Sequence, residues 1–210
     1  MTIIQMHWYS PSRLPSSYQE VEWIQDSWTQ YIDANIQLWA NDFEISWEFM
    51  MDEVTSYQQQ IVSIWTSSYN YWNLFIRTYG STRYLDLYLS WHNMISSITT
   101  TQKYTFNVKR SSSSWTWWFW NNTSTVSYSP WSVNNTTVKL FRLWGWDYWS
   151  DTYSKIKMYS CKIYVAWTLV RDFIPCYRKS DSVIWMYDFV NKVFYTNAGT
   201  WTFTKWPDVN

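Results

Sequence analysis

Phe43-Glu44-Ile45-Ser46-Trp47-Glu48-Phe49 alternates apolar and polar residues without a break. On an extended strand neighbouring side chains point to opposite faces, so this run buries one face and wets the other. Tyr104-Thr105-Phe106-Asn107-Val108-Lys109 repeats the pattern, as do Val138–Leu140 and Lys155–Met158. Further short runs lie outward from these, at Gln30–Ile36, Ile61–Ile64, Leu74–Ile76, Tyr84–Leu89, Lys162–Val165, Leu169–Ile174, Val183–Tyr187 and Lys192–Tyr195. Serine, asparagine, threonine and aspartate separate them. About a dozen short strands joined by polar turns predict an all-β protein, an antiparallel β-sandwich. No apolar stripe of helical period runs through the chain. One helical turn, within Glu53–Ile61, is the most that is expected.

The chain has 210 residues, enough for one sizeable core. Lys+Arg and Asp+Glu both number 16, so the formal net charge is zero. That removes the electrostatic argument for nucleic acid or an anionic membrane as partner. Cys161 and Cys176 have no metal-ligand spacing and read as two small buried residues on neighbouring strands. The start, Met1-Thr-Ile-Ile-Gln-Met-His-Trp-Tyr9, lacks a basic segment followed by a long apolar one, so no secretory signal is expected. The uncharged run from Ser111 to Val138 is too rich in Ser, Asn and Thr to be a membrane helix. Residues 1–13 read as a short extension and 14–208 as a single domain.

Tryptophan and glycine are out of proportion: 20 against 3. A domain of this length ordinarily carries roughly 15 glycines. Several tryptophans sit between small polar residues, as in Val165-Ala166-Trp167-Thr168 and Asn197-Ala198-Gly199-Thr200-Trp201-Thr202. Turn-rich β proteins need glycine there, because only glycine takes positive φ without steric cost. A gene in which UGA encodes glycine, translated as though UGA encoded tryptophan, would give this pattern. Trp47 fits an apolar strand face and reads as genuine.

The two ends carry the strongest motifs. Leu14-Pro15-Ser16-Ser17-Tyr18-Gln19-Glu20-Val21-Glu22-Trp23-Ile24, followed by Ser27-Trp28-Thr29-Gln30-Tyr31-Ile32-Asp33, resembles the opening of a laminin-G-like, concanavalin A-like jelly-roll family common in phage and prophage structural proteins. The closing segment is similar to that family as well. It comprises Met158–Tyr164, Thr168–Lys179, Met186-Tyr187-Asp188 and Phe194–Thr200. The resemblance spans about residues 14–208 with a divergent middle, and it implies a jelly roll. Trp28, Trp167, Trp185, Trp201 and Trp206 fall where the family has glycine, and Trp23 falls on an aromatic position. The implied function is a non-catalytic structural or adhesion module of a phage particle, a tail, fibre or surface-decorating protein. It would bind host-surface glycans and other virion proteins, on a virion or extracellular surface. The alternatives are a jelly-roll glycoside hydrolase that cleaves glycan and a bacterial secreted or cell-surface adhesion domain.

The chemistry is thin. His7 and His92 are the only histidines, one in the extension and one in a Ser/Asn loop, and they leave little for a triad or a zinc site. Glu20/Glu22 and Glu44/Glu48 share strand faces, but no Glu-x-Asp strand motif of jelly-roll hydrolases occurs. No catalytic residues are therefore expected, and Glu44 and Glu48 read as a solvated face. Within Trp115-Thr116-Trp117-Trp118-Phe119-Trp120, read as a loop, Trp115, Trp118 and Trp120 are candidates to stack on sugar rings. Trp117 reads as a misread glycine. No cofactor is required. Calcium is the ion that Asp147 and Asp151, flanking a glycine-like loop, would take. Arg171 and Asp172 point to opposite faces of one strand, so each needs a partner elsewhere.

Overall fold

A computed structural model describes residues 13–26, 30–38, 42–52, 58–64, 72–79, 82–89, 92–119, 122–127, 137–141, 155–200 and 202–209. Among the described residues the first strands are β1 (Tyr18–Gln25), β2 (Ile32–Asp33), β3 (Phe43–Met51) and β4 (Gln58–Ile64). It continues through β5 (Trp72–Tyr79), β6 (Thr82–Leu89), β7 (His92–Ser97), β8 (Lys103–Ser111) and β9 (Ser114–Phe119). Then come β10 (Asn122–Ser127), β11 (Lys139–Leu140), β12 (Ile156–Val165) and β13 (Thr168–Arg178). The last are β14 (Ile184–Asp188), β15 (Val193–Tyr195) and β16 (Thr204–Asp208). No helix occurs among the described residues. Of the expected helical turn, Gln58–Ile61 is strand, and 53–57 lie outside the described residues.

The strands form two antiparallel sheets. The ten-stranded sheet runs β10-β9-β8-β3-β12-β1-β13-β14-β15, with β16 paired to β1. The six-stranded sheet runs β2-β11-β4-β5-β6-β7. Alternation decides which face is buried. Phe43, Ile45, Trp47, Phe49 and Met51 of β3 are buried, with Phe106 and Val108 of β8 and Ile156, Met158, Cys161 and Ile163 of β12. They share one apolar cluster with Ile61, Val62, Leu85, Leu87 and Leu89 of the smaller sheet. Two sheets around one apolar layer make a β-sandwich of the concanavalin A-like, jelly-roll kind.

The end motifs meet in space. Gln19 and Glu20 of β1 pair with Tyr177 and Cys176 of β13, and Ile24 pairs with Met158 of β12 and Lys205 of β16. The Asn197 Oδ1 accepts hydrogen bonds from the backbone N–H groups of Tyr31 (3.1 Å) and Gly199 (2.8 Å). Arg171 donates to the Ala34 carbonyl at 3.0 Å and lies 3.6 Å from the fully buried Asp188 carboxylate. Asp172 is held by Arg13 at 2.9 Å and lies 4.0 Å from Lys162. Each member of the Arg171-Asp172 pair has thus found partners on other segments.

Val165 pairs with Thr168, so Ala166-Trp167 is a two-residue hairpin loop. Both residues have positive φ, 44° and 65°. A loop of this kind requires φ > 0 at both positions, which is why Asn-Gly is its usual sequence. Trp167 is 49% exposed there. The other tryptophans expected at glycine positions behave differently or lie elsewhere. Trp185 packs edge-on against Phe194 and Phe203, and Trp206 pairs with Trp23 in the β1–β16 ladder. Trp28 and Trp201 lie outside the described residues.

Candidate functional site

The candidate site is the polar face of the larger sheet, opposite the core. Because Phe43, Ile45, Trp47 and Phe49 point inward, Glu44, Ser46 and Glu48 point out. The same alternation brings Lys103, Thr105, Asn107 and Lys109 outward from β8 and Trp118 outward from β9. Register then lines them up. Thr123, Trp118, Asn107, Ser46, Lys162 and Asp172 are successive cross-strand neighbours on β10, β9, β8, β3, β12 and β13. Lys103, Thr105, Asn107 and Trp118 line a depression of about 290 Å³.

The side chains are held by specific contacts. Asn107 Nδ2 donates to Glu44 Oε1 at 2.7 Å. Only the amino end of a carboxamide can donate to a carboxylate, so Glu44 fixes the amide's orientation. The Asn107 Oδ1 is buried and has no hydrogen-bond partner among the described residues. Lys103 pairs with Glu48 at 2.8 Å and lies 4.2 Å over the Tyr159 ring. Tyr159 sits where the β3–β12 register shifts, between Met158 and Ser160. A bulge of this kind re-aims one side chain. Burial pushes the Tyr159 hydroxyl pKa up, and Glu22, Asp52 and Glu48 push it the same way. Lys109 lies 4.0 Å over the Trp167 ring.

An indole face, an amide, hydroxyls and ammonium groups on one surface suit a polyhydroxylated ligand: the ring stacks and the polar groups hydrogen-bond. Glu44 and Glu48 are four residues apart on one strand, roughly 13 Å along the backbone. Glycosidase carboxyl pairs lie about 5–9.5 Å apart. These two are each engaged by a different neighbour and do not form a close pair.

The stacking candidates divide. Trp118 is 38% exposed and borders the depression. Trp115 is fully buried, edge-on to Phe43 at 5.4 Å, so its expected part in ligand binding is corrected: it is a core residue. Trp117 is also buried. The cause is strand alternation, since Ser114–Phe119 is β9 and not the loop expected from its serine and asparagine flanks. His92 likewise begins β7 instead of lying in a loop. Trp120, Asp147 and Asp151 lie outside the described residues. Among the described residues no cluster of His, Cys, Asp and Glu could hold a metal ion, and no helix is long and apolar enough to cross a membrane. The sequence reading missed Lys103, Thr105, Asn107, Tyr159 and Lys162. The polar half of the Tyr104–Lys109 alternation was the available signal.

No family model and no curated protein matches the chain. Solved structures do. A heptameric SAP-like pentraxin from Limulus polyphemus is similar at 12% identity and a TM-score of 0.49, over 69% of this chain and 76% of that one. An alginate lyase from Pseudomonas aeruginosa is similar at 8% and 0.47, over 62% and 68%. Tailspike protein 2 of an Escherichia coli O157:H7 bacteriophage is similar at 8% and 0.51, over 79% of this chain but 31% of the tailspike. Identities this low establish the fold alone. The expectation that the chain is not an enzyme is corrected: a shared fold hosts catalytic and non-catalytic proteins alike, so a missing hydrolase motif and scarce histidine are no ground for excluding catalysis.

Proposed function

We propose that this chain is a polysaccharide-directed domain of a phage particle, and that it engages its ligand on the polar face of the larger sheet. The observation that carries the reading is Trp118, an exposed indole bordering a depression whose other walls are Lys103, Thr105 and Asn107. Stacking on the ring and hydrogen bonding beside it are the two things a sugar needs. The tailspike likeness supports the phage setting, as does the resemblance of the end motifs to phage laminin-G-like domains. The test is binding of the full chain to a bacterial polysaccharide array, beside the Trp118→Ala variant. Retained binding by that variant would remove Trp118 from the site.

Cleavage of the bound polysaccharide is the second reading. Glu44 favours it: a carboxylate on the ligand-facing side with one oxygen fixed by Asn107. Incubation with each bound polysaccharide should then release new chain ends, and Glu44→Gln should abolish their release while binding persists. Binding without release would leave a recognition domain.

A further inference from the structure

We infer that the ligand is an acidic polysaccharide lying across the strands, with Lys162 meeting its carboxylates; the inference rests on the polysaccharide reading above. The row Thr123, Trp118, Asn107, Ser46, Lys162 takes one residue from each of five adjacent strands. Adjacent strands lie about 4.8 Å apart, so the row spans about 19 Å. That spacing is close to the repeat of an extended pyranose chain, so successive sugars would meet successive strands. A chain laid along β8 instead would meet Lys103, Thr105, Asn107 and Lys109 but would leave Lys162 and Ser46 to one side.

The charge argument follows from which groups are already matched. Between Thr123 and Lys162 the row carries no carboxylate. At its end one oxygen of Asp172 is taken by Arg13 at 2.9 Å, and Lys162 Nζ stands 4.0 Å from the other. The Lys162 side chain is 45% exposed. Its ammonium is therefore loosely held and turned to solvent. Lys109, beside the row, has an aromatic ring as its neighbour; Glu44 is its cross-strand partner, but no carboxylate lies within 4.0 Å of it among the described residues. Lys103 is different, since Glu48 already matches it. Counting Glu44 against Lys109, the Lys162 ammonium is left as the excess positive charge at the end of a row of neutral hydrogen-bonding groups, because Arg13 already matches Asp172. Uronate-type sugars supply the complementary carboxylate at every repeat, and a charge-assisted contact is the stronger kind.

The experiment measures binding of the full chain to several uronate-containing polysaccharides, each beside its carboxyl-reduced counterpart, with the sugar backbone kept and the charge removed. The expected result is a preference of about tenfold or more for the acidic form, shrinking as salt is raised. Lys162→Gln should lose that preference and Lys162→Arg should keep it, while Trp118→Ala weakens binding to both forms. Equal affinity for the acidic and reduced forms, or an unchanged preference in Lys162→Gln, would overturn the acidic class and leave the polysaccharide reading standing. No binding to any polysaccharide, acidic or neutral, would overturn both.

Discussion

Asn107 and Glu44 are joined across the β3–β8 boundary, Nδ2 to Oε1 at 2.7 Å, on a diagonal between two cross-strand pairs. The bond turns a freely rotating amide into a group with one orientation, aimed beside Trp118. Its two ends are separable by mutation. Glu44→Gln keeps an acceptor for Asn107, whereas Glu44→Ala removes it. We expect Glu44→Ala to weaken polysaccharide binding by about 1 kcal/mol, the net worth of one hydrogen bond, and Glu44→Gln to change affinity little. Titration calorimetry of both variants checks this. Equal losses would mean that charge matters at this position and amide orientation does not.

Trp115 and Trp118 predict opposite phenotypes from the same substitution three residues apart. Trp115→Ala opens a cavity in a sealed core and should cost about 3–5 kcal/mol. Trp118→Ala touches the surface and should change stability by no more than about 0.5 kcal/mol, while removing sugar stacking. Thermal unfolding and binding, measured on both variants, give the cross pattern.

Trp167 holds φ at 65° in a two-residue hairpin loop while 49% exposed. A left-handed conformation costs an L-residue about 1–2 kcal/mol, and glycine escapes that cost while adding some entropy to the unfolded chain. Trp167→Gly should therefore raise the melting temperature by roughly 2–4 °C. Trp185→Gly should lower it, because that indole fills space beside Phe194 and Phe203. The gene offers an independent check: UGA at codon 167 and UGG at codons 47 and 115 are expected if UGA encodes glycine in the source. A lower melting temperature for Trp167→Gly, or UGG at codon 167, would count against the recoding.

Both cysteines are free and buried. They belong to different apolar clusters, Cys161 in the main core and Cys176 beside Leu14 and Tyr187. Burial raises both thiol pKa values, that of Cys176 to about 12 from an ordinary 9.0. At pH 8 neither should react with a thiol reagent until the protein is unfolded. The sign for stability follows from the raised value. The folded state keeps the proton, so the contribution is whole below about pH 9 and is lost as pH rises toward 12. Fast labelling of native protein at pH 8 would contradict the burial.

The larger sheet was legible where polarity alternates. Phe43–Phe49 and Tyr104–Lys109 gave both the strand and its buried face, because period two is the only periodicity those residues allow. Lys155–Met158 and Lys162–Val165 are one strand, β12, split in the sequence by Tyr159-Ser160-Cys161 at the bulge. Ser114–Phe119 was hidden because adjacent aromatics, Trp117-Trp118-Phe119, erase the contrast on which alternation depends. The site was hidden for a deeper reason. Asn107 and Trp118 become neighbours through the β8–β9 register, and Ser46 and Lys162 through β3–β12. A polar strand face says that residues are wet; only register says which of them stand together.

The pairing of β1 has a consequence for how the chain is made. Among the described residues its strand partners are β12, β13 and β16, and the earliest residue of those strands paired with it is Lys157. A ribosome delivers β1 long before these three strands, and contacts so distant in sequence form slowly. Throughout that wait Val21 and Ile24 are exposed on an unpaired edge, the state in which a nascent β protein is most prone to join a neighbour's sheet instead of its own. Slower elongation would lengthen the exposure, and a message truncated before codon 156 would yield β1 without β12, β13 and β16.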